Sequence, residues 1–299
     1  MTGQHSLQAI AVQAGTVRRA QYRRPFPWGA VLRHAVLLFF CLIILFPLVW
    51  VLLLSVKSLP DAYTNRIWPR EFDFSHYGYA VTHISTLPRN IFNSVFVTVS
   101  TVVLGTVCAV LAGYALVHLK TPGRTVVLAL LVASMFFPTR IISLIAVYQI
   151  QKQLGLLNTT YGLVFPYVTL SLALSVFVMR GIFETIPQDL ADAARIDGCG
   201  PWRMLLQIML PLVRNGIVVV IVVNFVAAWG EYLLATTLTN DQDVRTLPVV
   251  LAAATGGMGQ WAWPRIAAVY VIAVAPALVA FAISQRWYMR GLQEGALKG

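Results

Sequence analysis

A chain of 299 residues that is 58% hydrophobic and only 11% charged departs from soluble domains, where about a quarter of residues are charged. Its formal net charge of +11 would suit nucleic acid. Instead, the basic residues fall in alternate segments between long uncharged runs, which reports membrane topology and excludes a nucleic-acid partner.

In chain order, residues 1–30 form a polar, basic N-terminal segment. Residues 35–56 are the first uncharged run, long enough to cross roughly 30 Å of hydrocarbon as a helix. It is too long and too far from Met1 for a cleaved signal peptide, so it reads as a retained anchor, kinked at Pro47. The segment 57–89 carries Trp68, Phe72, Phe74, Tyr77 and Tyr79, read as interfacial anchors or as a docking surface for an external partner. In the second run, 90–117, Gly105, Ala109 and Gly113 recur every four residues. That stripe lets a neighbouring helix approach closely, or lines a solute pathway.

Thr121-Pro122-Gly123 predicts a tight cytoplasmic turn. The third span, 125–151, contains one charge, Arg140, and the fourth covers 153–179. A polar segment, 181–214, precedes span five at about 215–236, which contains Glu231. The external loop 237–264, with Gly256, Gly257 and Gly259, reads as flexible. Span six, 266–285, precedes a tail at 287–299. The expected fold is an all-α membrane protein with six transmembrane helices over 31–286. The segments before span one, after spans two and four, and after span six hold 14 of the 22 basic residues. Both termini are therefore expected in the cytoplasm, the chain being a multi-pass protein of the cell (inner) membrane surrounded by lipid. Cys41, Cys108 and Cys199 imply no disulfide framework.

The segment between spans four and five is the most specific. Residues 187–198 read PQDLADAARIDG. Pro187 suits a first helical turn, Asp189 and Asp192 complement the helix dipole, and Gly198 suits its left-handed end. Small Ala193 and Ala194 leave a face that can press on another protein. Pro201 starts a second short helix, expected to stop near Pro211. The product is an exposed docking element outside the bilayer.

This pattern resembles the permease subunits of ATP-binding-cassette importers, whose cytoplasmic signature is Glu-Ala-Ala, three residues, Gly, nine residues, Ile-x-Leu-Pro. Asp192, Ala193, Ala194, Gly198, Ile208, Leu210 and Pro211 match its spacing, and Asp197 lies within the same stretch. Asp192 stands where the family has Glu, keeping the charge but shortening the reach by one methylene. Asn93-Ser94, Gly113-Tyr114-Ala115, residues 154–159, Trp229-Gly230-Glu231 and the C-terminal sequence extend the similarity from about residue 35 to the end. Within the family the chain is similar to the carbohydrate-uptake branch and there to the maltose-type second permease.

None of the four lysines (Lys57, Lys120, Lys152, Lys298) occurs as Gly-Lys-Ser/Thr, so a phosphate-cradling loop is absent. Energy is then expected to come from a partner, and the chain is expected to be a transport subunit, not an enzyme, with no cofactor of its own. The resemblance implies two cytoplasmic ATPase subunits that bind ATP and Mg, with the helix at 192–198 seated in a cleft on one of them. It also implies a second permease as heterodimer partner, an external solute-binding protein, and a tail at 291–299 reaching toward the ATPases. ATP would bias the pathway between inside-open and outside-open populations. The solute expected is a sugar or related polyol or glycoside; glycerol phosphate or another polar solute is the alternative.

Charged residues within spans are functional candidates by default. Arg140 and Glu231 are read either as lining the pathway or as pairing structurally, with Asn93, Tyr148, Asn224 and Trp229 as further pathway candidates against a packing role. An ion-coupled secondary transporter would show internal repeats and broken helices and has no use for the docking motif. An intramembrane enzyme lacks its metal cluster; His34 and His118 sit at the membrane ends of spans.

Overall fold

The structure is a computed structural model that describes residues 28–64, 66–119, 121–136, 139–257 and 262–296. The side chains of residues 28, 30, 136, 139–142, 254–257, 284 and 286–296 lie outside that description. The chain divides into two compact units, residues 1–50 and 51–299. Helix α1, Trp28–Ser55, begins in the first and ends in the second. Its described side chains from Val31 to Trp50 are all exposed, as befits a helix whose solvent is lipid. It is assigned as helix through Pro47.

The second unit holds α2 (Ser75–His83), α3 (Leu87–His118), α4 (Arg124–Phe136), α5 (Thr139–Gln153) and α6 (Val164–Glu184). Then come α7 (Gln188–Ile196), α8 (Pro201–Trp229), α9 (Leu233–Leu238), α10 (Leu247–Gly257) and α11 (Trp263–Ala296). Among the described residues five helical stretches are long and apolar enough to cross a membrane: Val31–Ser55, Leu87–His118, Tyr161–Glu184, Pro201–Trp229 and Trp263–Ile283.

The third span is described as helix over Arg124–Phe136 (α4) and Thr139–Gln153 (α5), and residues 137 and 138 between them lie outside the described ones. Three expectations change. The helix begun at Pro201 does not stop near Pro211 but runs on into the membrane as α8. Its π-helical stretch Met204–Met209 precedes the proline, and a widened turn there relieves the clash a proline ring makes with the carbonyl four residues back. The loop at 237–264 contains two helical stretches, the end of α9 and α10. The last helix continues past residue 286 to Ala296; residues 297–299 of the expected tail lie outside the described ones.

The core of the second unit is a three-helix seam of α3, α6 and α8. Here the small-residue stripe packs. Ala109 is fully buried, and a methyl placed on Gly113 would come within 2.9 Å of Met179 Cβ. One placed on Gly105 would meet Asn224 Oδ1 at 2.8 Å. Small residues let backbones approach so that dispersion, the main attraction between helices in lipid, acts at short range.

At the other end of α3, Asn90, Asn93 and Ser94 hold the segment that follows α9. Asn90 Nδ2 donates to the Gln242 and Arg245 carbonyls at 2.6 and 2.9 Å. Asn93 Nδ2 donates to those of Asp243 and Arg245 at 2.8 and 3.1 Å, and Ser94 Oγ accepts the Leu247 N–H at 2.7 Å. The segment after α1 is ordered by its own polar contacts. Asp73 N–H donates to the Val56 carbonyl at 2.8 Å, and His76 Nε2 lies 2.8 Å from the Lys57 carbonyl. The Arg70 N–H donates to Asp61 at 3.1 Å. That bond, helped by Thr64 and by the charges of Lys57 and Arg70, holds the Asp61 carboxyl below the usual carboxylate range against the opposing effect of burial.

Candidate docking site

Helix α7 follows α6 after a short turn, and its hydrophobic positions divide it into two faces. Ala191 and Ala194, three apart, point inward and are 0% and 4% exposed. They join Phe183, Met204, Leu205 and Met209 in one buried cluster continuous with the seam residues Ala109, Tyr114 and Met179. The alanine pair of the motif is therefore split: Ala194 is core, and Ala193 is exposed. The expectation that both face a partner fails for Ala194, because adjacent helical residues lie about 100° apart.

The outer face carries Leu190, Ala193 and Ile196 together with Asp189, Asp192 and Asp197, all exposed. Ile196 is 86% exposed, and Trp202 at the start of α8 is 66% exposed. The sequence reading missed Leu190, Ile196 and Trp202. Their signal was present, since Leu190, Ala193 and Ile196 recur every three residues and share one face. Gly198 adopts φ +76° as α7 ends, a left-handed conformation that L side chains rarely take. Of the later motif residues, Ile208 and Leu210 are half-buried against the same cluster and Pro211 is exposed.

The expected pathway residues are not brought together as one lining. Asn224 is fully buried in the seam. Its Oδ1 accepts from Ser171 Oγ at 2.6 Å and Ser175 Oγ at 3.3 Å, and its Nδ2 donates to Thr106 Oγ1 at 3.4 Å. Asn93 is buried and engaged with the loop described above. Glu231 Oε1 and Oε2 accept the backbone N–H groups of Leu234 and Ala235 at 2.9 and 3.1 Å. The carboxylate thus caps the orphan donors of α9. Trp229 stacks on Phe225, with centroids 5.7 Å apart, and packs beside Leu87 and Leu251. Tyr148 on α5 is exposed. Arg140 lies in α5, but its side chain is outside the described ones. No group of three or more His, Cys, Asp or Glu able to hold a metal occurs among the described residues.

Apolar helices of membrane-spanning length, with a short exposed helix inserted between two of them, define a multi-pass membrane protein. The sequence profile described as "Binding-protein-dependent transport system inner membrane component" matches residues 101–294. The diacetylchitobiose uptake permease of Streptomyces coelicolor is 31% identical over 90% of this chain and 89% of its own. The sulfoquinovosyl glycerol permease of Agrobacterium fabrum is 34% identical over 85% and 89%. The maltose/maltodextrin permease of Escherichia coli is 32% identical over 89% and 95%. A bacterial ABC transporter importing the acidic polysaccharide alginate shares the fold, with a TM-score of 0.76 at 23% identity over 89% of this chain and 99% of that one.

The chain belongs to the family of binding-protein-dependent transport system inner membrane components. It is a multi-pass inner-membrane permease subunit of an ABC importer, a transport subunit that is not itself catalytic. This membership sets aside the ion-coupled alternative.

Proposed function

We propose that this permease forms half of the translocation pathway for an oligosaccharide or related glycoside, delivered by an external binding protein and driven by a pair of cytoplasmic ATPase subunits. The solutes of the relatives, diacetylchitobiose, sulfoquinovosyl glycerol and maltose/maltodextrin, support the solute class; glycerol phosphate is the competing solute. In this reading a second permease completes the pathway, α4 and α5 together make the third of six crossings, and both termini and α7 lie in the cytoplasm. The observation that carries it is the outer face of α7, an amphipathic helix whose inner face is buried and whose Ile196 is 86% exposed. An apolar side chain that free, rimmed by Asp189, Asp192 and Asp197, suits a partner's cleft.

Ile196→Asp should remove the ATPase from the purified complex while leaving the permease in the membrane. Gly198→Pro should do the same, because proline fixes φ near −65° where this position requires +76°. Proteoliposomes holding the complete complex and its binding protein should take up an oligosaccharide on addition of ATP. Stabilisation of the binding protein by glycerol phosphate but by no sugar would overturn the carbohydrate assignment. Tyr148, on an exposed face of α5, is the pathway candidate best placed to meet solute. Arg140 and Trp229 are secondary, and Asn93, Asn224 and Glu231 are held by the fold.

A further inference from the structure

The docking helix is joined to the membrane core by more than the two helices that flank it in sequence. Arg195, on α7, spreads its guanidinium between two partners. Nη1 donates to Asp192 Oδ1 at 2.6 Å, and Nη2 donates to the backbone carbonyl of His118 at 2.7 Å. His118 is the last residue of α3, and its carbonyl is one of those a helix end leaves without an internal partner. A second link lies beside the first: Tyr114 Oη donates to the Pro201 carbonyl at 3.0 Å, where α8 begins. Tyr114 and His118 both set their rings against Phe183 near the end of α6, each with centroids 5.9 Å apart. The last turn of α3 therefore touches the docking helix and both of its roots.

We propose that Arg195 is a positioning residue that makes α3 a third helix driven by the docking helix, with Asp192 orienting the guanidinium and the Tyr114–Pro201 bond holding the same joint. The proposal rests on the reading that α7 receives the ATPase stroke. One feature makes the link mechanical. The fork of an arginine can hold a carboxylate and a carbonyl at once, which the single nitrogen of a lysine does less well. Displacement of α7 and the start of α8 must then either carry the end of α3 or break the Arg195 and Tyr114 bonds. Asp192 here accepts from Arg195 within its own helix, so part of its hydrogen-bonding is spent inside the protein.

The test uses the full complex, with ATPase pair, second permease and binding protein, in proteoliposomes. Arg195→Gln is expected to co-purify the ATPase at the wild-type ratio. Solute moved per ATP should nevertheless fall about fivefold or more, the lower end for two energetically linked sites. Arg195→Lys should recover part of the loss, and Tyr114→Phe should deepen it in the double variant. Spin labels at residues 122 and 188 should keep their separation through the ATP cycle in wild type and lose it in Arg195→Gln. Wild-type transport per ATP in Arg195→Gln would overturn the proposal. Loss of ATPase binding in that variant would also overturn it, because Arg195 would then belong to the docking face. Absence of ATPase from the wild-type complex would instead sink the docking reading itself.

Discussion

Gly113 is the position where the seam of α3 and α6 can be tested most directly. A methyl added there would lie 2.9 Å from Met179 Cβ, 3.0 Å from the Arg180 nitrogen and 3.1 Å from the Met179 carbonyl carbon. Two of those three atoms are backbone, so no rotamer change relieves them. Ordinary van der Waals contact begins near 3.4 Å, and the helices must part by a few tenths of an ångström. The strain reaches a seam in which Ala109 and Met179 are fully buried. Overpacking of this kind costs about 1–3 kcal/mol, while alanine regains about 0.5–1 kcal/mol over glycine in a helix, leaving a net loss of about 0–2.5 kcal/mol. Gly181, on α6, is the control, because an added methyl there meets nothing within 4 Å. Titration of dodecyl maltoside micelles with SDS, followed by far-ultraviolet circular dichroism, reads both variants. Gly113→Ala should unfold at a lower SDS fraction than wild type and Gly181→Ala at an equal or higher one. A Gly113→Ala midpoint above wild type would refute the close approach of α3 and α6.

The buried amide of Asn224 should contribute about 0.6–1.7 kcal/mol per interhelical hydrogen bond, so Asn224→Ala should lower the same SDS midpoint; an unchanged midpoint would count against the Ser171 and Ser175 bonds. Glu231→Ala removes the cap of α9 and should cost about 0.5–2 kcal/mol, seen as faster amide exchange at Leu234 and Ala235, with Glu231→Gln intermediate. The Asp61 carboxyl titrates below its unfolded value near about 3.9. A depressed carboxylate contributes stability that is fully present above the unfolded value and lost as pH falls through the folded one. The segment 57–74 should accordingly become labile to pepsin only in strong acid, whereas Asp61→Asn should be cleaved already at about pH 5. Equal cleavage of the two at that pH would remove Asp61 from the account.

Some site residues were legible in the sequence because one local rule governs them. Gly198 was marked by its place at a helix end, and its φ of +76° follows. The stripe Gly105, Ala109, Gly113 was marked by its four-residue period and does meet neighbouring helices. Glu231 was not legible: a carboxylate in an apolar run reads as costly and therefore as functional. Only the break at Gly230 and the start of α9 place two backbone donors against it. Asn224 failed in the same way, since its serine partners lie about fifty residues away on α6. Pro211 reads as a helix stop, yet the π-helical turn before it carries the helix through.

The sequence by itself determined that this chain lives in a membrane, roughly where it crosses, and that a short exposed helix stands between two of its long apolar helices. Those conclusions rest on hydrocarbon thickness and helix period, which act along a single stretch of chain. Tertiary structure alone decided which side of each helix is inside. Ala193 and Ala194 are neighbours of identical chemistry, but only Ala194 lies against Met204, Leu205 and Met209. Arg195 becomes a link to α3 because packing brings the His118 carbonyl within 2.7 Å of its guanidinium. Such contacts depend on distances between segments far apart in the chain, and no local pattern encodes them.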